Sequence, residues 1–312
     1  MVEPESHLNE VQNELLAGTP AVASSDPSAE NARPGRGASA PGITLIRARP
    51  AWKLVDLREL RQYRDLFYFL VLREIQVRYK QTVLGGLWAV LQPFLTMIVF
   101  TIFFGRLAGI PSDGVPYPLF SLAAVVPWTY FSNALSFASN SLVTNQAFVS
   151  KVYFPRIAIP AAPVFGWLLD FVIALVMLFG VIAFYGRVPT IFALLLPLLV
   201  LLMVLTAAGV GMWLAALNVQ YRDFRYVIPF MIQLWMFISP VVYSSSSMSD
   251  RLKLLYGLNP MAGVIEGFRS SLLGTTDLPW GMVGVSTLMG VIIFISGLAY
   301  FRKVERVFAD VV

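Results

Sequence analysis

The sequence predicts an all-α integral membrane protein: six transmembrane helices behind an N-terminal amphipathic helix lying in the membrane interface. Three observations predict it. First, 57% of the 312 residues are hydrophobic and only 13% charged, with mean hydropathy +0.70, whereas soluble domains run near 25% charged. Second, the apolar residues gather in six runs, at 84–104, 119–142, 157–184, 189–217, 226–242 and 280–301, which together hold one formal charge, Asp170. Runs of about 20 residues span hydrocarbon as helices, and these are too long and too little alternating for strands. Third, Lys and Arg are unevenly shared between the two sets of loops. With the N-terminus inside, segments 64–83, 143–156, 218–225 and 302–312 hold 11 Lys/Arg in 53 residues, against 5 in 55 for 105–118, 185–188 and 243–279. Positive loops stay cytoplasmic, so both termini are expected inside.

Composition also excludes. There is no cysteine, hence no disulfide or thiolate site, and the only histidine, His7, lies in a polar tail. The net charge of +5 follows from the cytoplasmic loops and points to no nucleic acid.

Residues 1–50 read as a disordered cytoplasmic tail. "GTPAVASSDPSAENARPGRGASAPG" offers too little large apolar surface to offset its ordering entropy. A short helix is expected over residues 6–16, and the acidic "MVEPESHLNEVQNELL" is no signal peptide. Lineage-specific padding is the alternative to any role for this tail.

Residues 51–83 form the amphipathic interface region, and 84–312 the transmembrane domain. Over 68–80, helical spacing puts Tyr68, Val71, Leu72, Ile75 and Tyr79 in one apolar sector and leaves Arg73, Gln76, Arg78 and Lys80 outside it. Such a helix rests on the bilayer with its cations toward anionic lipid. It runs into the charge-free "GGLWAVLQPF" with no Pro/Gly/Ser linker. The helix is either an electrostatic anchor or a lever on the first span. A lever needs a motor, and no G-x-x-x-x-G-K-[ST] occurs in the chain.

Within the spans, Ala207, Gly211 and Ala215 make a small-residue ridge for close helix packing, within the chain or with a second copy. The polar end of the second span, "FSNALSFASNSL", fits either interhelical hydrogen bonding or pore lining. Asp170 is costly in lipid: a proton relay is one reading, a structural hydrogen bond inside the bundle the other. Before the last span, Asn259 caps a helix that Pro260 begins and Gly274 ends. Val264, Ile265, Phe268 and Leu272 mark its apolar face, with Glu266 and Arg269 off it.

Five stretches in order carry a resemblance: the basic helix entering "GGLWAVLQPF"; "SKVYFPR" (Ser150–Arg156); "YRDFR" (Tyr221–Arg225); "SPVVY" (Ser239–Tyr243); and "LNPMAGVIEGFRSSLLG" (Leu258–Gly274). From about residue 60 onward the chain resembles the membrane-spanning subunits of type-2 ABC exporters, and among them the permeases that export O-antigen, capsule, teichoic acid or similar lipid-linked polysaccharides. The resemblance implies a homodimer in the bacterial cytoplasmic membrane, two ABC ATPase subunits beneath it, and a polyprenyl-linked glycan as cargo. ATP and Mg would belong to the ATPase, leaving this chain without a cofactor or metal. It further implies ATPase coupling through Arg73, Arg78 and Lys80 on the interface helix and through Lys151, Phe154, Pro155 and Arg156 in the first cytoplasmic loop. Arg222 and Asp223 form the second cytoplasmic turn, as a local ion pair or a partner contact. The region of Asn259, Pro260, Glu266, Phe268 and Arg269 would form re-entrant helices at the external mouth, with a loosely packed external loop as the alternative.

Sugar rings bind flat aromatic faces, and Trp88, Phe94, Trp128, Trp235 and Tyr243 stand near span ends as conduit candidates. Interfacial aromatic belts use the same residue types; the resemblance favours spans one and five as the lining. A drug or lipid exporter would share the topology. A membrane glycosyltransferase should carry a D-x-D motif, and an ion-coupled transporter several buried ionisable groups; the sequence has neither.

Overall fold

The chain divides into two units, residues 1–49 and 50–312. The computed structural model describes residues 61–80, 82, 85–146, 154–221, 223–246, 248–275 and 277–305, all in the second unit. The tail, Lys151 and Arg222 lie outside the described residues.

Every described element is helical. α1 (Arg64–Tyr79) is followed by a 3-10 turn (Gly85–Leu87), α2 (Trp88–Phe100) and a π-helical turn (Thr101–Leu107). Then come α3 (Tyr117–Thr144), α4 (Ala158–Gly166) and α5 (Leu168–Phe184). A 3-10 turn (Ile191–Leu195) leads into α6 (Leu196–Gln220), followed by α7 (Phe224–Ile238). The chain ends in α8 (Asp250–Tyr256), α9 (Pro260–Leu273) and α10 (Trp280–Val304).

Each of the six apolar runs contains a helix, but among the described residues only four segments are long and apolar enough to cross a membrane by length and composition: Gly85–Leu107, Ala158–Phe184, Ile191–Gln220 and Trp280–Val304. The second run, α3, is 28 residues long but diluted by its Ser and Asn. The fifth, α7, has only 15 residues.

α3 sits at the centre, buried on nearly every side by α2, α4, α5, α6 and α9. Much of its polar end is satisfied by hydrogen bonds, Asn133 Nδ2 being buried without one. Ser139 Oγ and Asn140 Nδ2 donate to the Ser136 carbonyl at 2.8 Å, and Asn218 Nδ2 of α6 donates to the Ser139 carbonyl at 3.0 Å. The small-residue ridge of α6 packs within the chain. A Cβ on Gly211 would stand 2.8 Å from Ala138 Cβ of α3, while on the other face a Cβ on Gly297 of α10 would fall 2.2 Å from the Gly209 carbonyl oxygen. Backbones this close exchange side-chain bulk for dispersion contacts, the usual basis of helix association in lipid.

α9 begins and ends where its sequence says. Asn259 Oδ1 accepts the Met261 N–H at 3.1 Å, Pro260 occupies the first turn, and Gly274 closes the helix at φ +61°. Its surroundings depart from expectation. All fourteen residues are buried, Glu266 and Arg269 included, so there is no polar face and no loose loop.

α1 also departs from its helical-wheel reading. The side packed on the bundle is Tyr63, Leu66, Phe67, Leu70 and Val71, continuing through Glu74 and Arg78, whereas Tyr68 of the expected apolar sector is 64% exposed. The partner, α4, selects the face; periodicity alone cannot. Among the described residues, the helix does not run straight on into the first span. The helix ends at Tyr79, Lys80 is extended (ψ 127°), and Gly85 takes a left-handed φ of +45° before the 3-10 turn.

Candidate functional site

In so apolar a chain, the places where charge is buried are the candidates for function. Two clusters stand out. The first lies at the last turn of α1. The Arg78 guanidinium forms an ion pair with Asp170 of α5 and lies over the Trp167 ring, 4.0 Å from its centroid. Arg78 Nε donates to the Glu74 carbonyl at 3.3 Å, and Tyr79 donates its hydroxyl to the other Asp170 oxygen. Burial, then the hydrogen bond to Asp170 and its charge, push the Tyr79 phenol up to about 12, so it stays a donor. A cavity of about 150 Å³ opens beside the pair, lined among others by Trp88, Gln92 and Thr129.

Asp170 therefore has a structural partner, as one reading expected, but the partner comes from α1 and not from another span. Arg78 faces inward, not toward lipid headgroups. Arg73 is turned to the bundle as well, donating to Asn145 Oδ1 at the end of α3 and pairing with Glu74 at 3.3 Å. Of the three coupling candidates Arg73, Arg78 and Lys80, only Lys80 is exposed.

The described end of the loop after α3, from Phe154 to Arg156, is likewise drawn inward. Phe154 is 5% exposed and Pro155 is buried; Phe154 joins Leu70 of α1 and Phe301 and Val304 of α10 in a second core cluster. It does not stand ready as a knob for another protein's socket. Arg156 Nη1 donates to the Glu305 carbonyl at 2.8 Å, tying the loop to the end of α10. Asp223, just before α7, is exposed.

The second cluster surrounds Arg269, fully buried in α9. Its guanidinium donates to the carbonyls of Val241 at 2.7 Å and Tyr243 at 2.9 Å, pairs with Glu266 at 3.3 Å, and lies 3.6 Å from the Phe120 ring centroid. Glu266 in turn accepts the Ser245 N–H at 3.0 Å. A charged pair this dry is held only when its remaining donors and acceptors are met; here they fasten the turn after α7 to α9. Phe268 packs edge-on against Phe171 in the core.

The aromatics named from sequence do not form one surface. Trp88 and Phe94 point out of α2 and are exposed, while Trp128 is buried against Phe131. Trp235 meets Phe131 edge-on and donates from Nε1 to Asn259 Oδ1 at 2.9 Å. Tyr243 bonds the Tyr256 hydroxyl and the Phe237 carbonyl. Trp235, Tyr256 and Asn259 border a groove of about 510 Å³ that Met231, Leu234 and Ile238 make apolar.

A family profile described as ABC-2 type transporter matches residues 65–273, from α1 through α9. The chain belongs to the ABC-2 type transporter family. Within it, the chain is similar to an O-antigen export system permease protein, RfbA, of Myxococcus xanthus, 31% identical over 217 residues, 69% of this chain and 82% of the relative. It is also similar to a Klebsiella pneumoniae protein of the same description, 25% identical over 79% of this chain and 95% of the relative. A polysialic acid transport protein, KpsM, of Escherichia coli is 23% identical over 76% of this chain and 92% of the relative. Both buried charge clusters of this ABC-2 chain fall inside the matched region.

The Arg78–Asp170 pair was half readable. A lone carboxylate among six apolar runs must find a cation, but helix wheels assign partners only within one helix, and this one lies 92 residues away.

Proposed function

We propose that the chain is the membrane-spanning permease subunit of an ATP-driven exporter that moves a lipid-linked polysaccharide, of O-antigen, capsule, teichoic acid or galactan type, across the bacterial cytoplasmic membrane. The similarity to the Myxococcus O-antigen export permease, extending over 82% of that protein, carries the reading. Two copies enclose the path and two ABC ATPase subunits dock at the cytoplasmic side. They supply the ATP-Mg, and this chain binds neither. α3 and α7 complete six crossings with the four apolar spans, which leaves both termini in the cytoplasm. α1 lies along the inner surface, and α8 and α9 enter and leave at the external side. The uncovered aromatic faces of α2 and α7 suit a second copy and a sugar-lined path.

The decisive experiment reconstitutes the full chain with an ABC ATPase in proteoliposomes loaded with a polyprenyl-linked glycan. ATP-dependent appearance of glycan on the far leaflet is expected only when both proteins are present. Nucleotide hydrolysis or transport by the chain alone overturns the reading, and movement of lipid without glycan replaces it with lipid export.

A further inference from the structure

α1 does not run on into α2 as one helix: among the described residues between them, Lys80 is extended and Gly85 is left-handed, ahead of a short 3-10 turn.

Sideways, α1 is held firmly. Phe67 packs edge-on against Phe165 of α4 with ring centroids 5.5 Å apart, and Leu66, Phe67 and Leu70 share a core cluster with Ala158 and Ala162. At its last turn Arg78 reaches the one-residue interruption of the third span at Trp167, between Gly166, which ends α4, and Leu168, which starts α5; Trp167 keeps αR backbone, and its N–H and carbonyl still bond Pro163 and Phe171 at 3.0 and 3.1 Å. It pairs with Asp170 on the first turn of α5 and stacks on Trp167 at the interruption itself. Gly166 makes room: a Cβ there would lie 3.2 Å from both Arg78 Nη2 and Glu74 Cβ. One side chain thus touches α4, the interruption and α5 together. Arg78 and Asp170 are each 15% exposed, so water screens the pair little.

We propose that Asp170 is a positioning residue for energy coupling, and that the Arg78–Asp170 clasp, not the α1–α2 joint, hands the motion of α1 to the third span. The clasp stays closed while it does so, as a rigid link that swings α5 about Trp167. The inference rests on the exporter reading above and adds to it that the docked ATPase drives α1.

The chain has no cysteine, so thiol chemistry can replace the ion pair cleanly. The test uses the complete permease–ATPase complex in proteoliposomes and three measurements: co-purification, ATP hydrolysis and glycan transport. Asp170→Asn is expected to keep assembly and hydrolysis near wild type while transport falls about tenfold, the size of effect typical for one coupling contact. A residue needed only for folding would lower all three together. Arg78→Cys/Asp170→Cys is expected to be equally uncoupled, to regain transport when a reversible bis-methanethiosulfonate bridges the two thiols, and to lose it again on reduction. Wild-type transport by Asp170→Asn overturns the proposal. So does a bridged variant that assembles and hydrolyses ATP without transporting. Failure of both variants to assemble assigns the pair to folding and overturns it too. A wild-type complex that itself neither assembles nor transports overturns the exporter reading instead.

Discussion

Arg269 is the side chain on which the region around α9 most depends. Its guanidinium is fully buried, and four groups take up its donors or its charge: the carbonyls of Val241 and Tyr243, the Glu266 carboxylate and the Phe120 ring. Arg269→Ala strands a buried carboxylate and two carbonyls, which should cost about 3–5 kcal/mol and appear as a large drop in thermal midpoint of the detergent-solubilised protein. Arg269→Lys keeps the charge but loses the planar fork that serves two carbonyls and stacks on a ring; an intermediate drop is expected. Equal stability of Arg269→Ala and wild type would show that water reaches the site. The sequence placed Arg269 off the apolar helix face because 3.6-residue periodicity sees only the helix that carries it. Of the groups that receive it only Glu266 is local, three residues away; the others lie 26, 28 and 149 residues away in the chain, and no local pattern reports them.

How legible an element was depended on whether its cause was local. The caps of α9 are local, since a side-chain oxygen two positions from the N–H it accepts and a left-handed glycine leave their mark in adjacent residues. Asn259 does more than cap: it also accepts from Trp235 Nε1 and donates to Ser239 Oγ at 2.9 Å, pinning the end of α7 to the start of α9. Asn259→Ala should therefore cost more than the roughly 1 kcal/mol of a lost cap, a surplus that the thermal midpoint of Asn259→Ala/Trp235→Phe would partly cancel as a double-mutant cycle. The face of α1 was partly legible: Val71, Leu72, Ile75 and Tyr79 of the expected sector are half-buried, but Tyr68 is exposed and Leu66, Phe67 and Leu70 pack instead, because α4 chooses the face. The ridge of α6 was half legible: the four-residue spacing of Ala207, Gly211 and Ala215 shows in the sequence, but the tightest approach, Gly209 to Gly297, lies on another face and needs α10 to exist. Gly297→Leu should prevent α6 and α10 from closing, giving aggregated protein on gel filtration. Gly284→Ala, in the same helix with no atom within 4 Å of its Cβ, should be monodisperse and slightly more stable, by about 0.5–1 kcal/mol.

Uncovered apolar surface does not by itself mark an interface in a chain that spans a bilayer, because lipid covers it as well as protein does. The kind of residue separates the two cases. The outward stripe of α10, Leu288, Val291, Ile292 and Ile295, is purely aliphatic, whereas α2 and the π-helical turn after it expose Trp88, Phe94 and Phe103, and α7 exposes Tyr226, Phe230 and Phe237. Aromatic side chains offer large, rigid contact area and concentrate where protein meets protein or sugar, so α2 and α7 are the faces expected to meet a second copy. In a two-fold pair the same two patches meet twice, α2 of one copy against α7 of the other. Two differently tagged copies, one Ile98→Cys and one Phe230→Cys, expressed together in a chain otherwise free of thiols, should form a mixed dimer with a bifunctional thiol reagent in native membranes. Ile295→Cys on the aliphatic stripe, as exposed as Ile98 or more so, should stay monomeric under the same treatment. Cross-linking at residue 295 without any at 98 and 230 would put the partner on α10 and return the aromatic faces of α2 and α7 to the lipid.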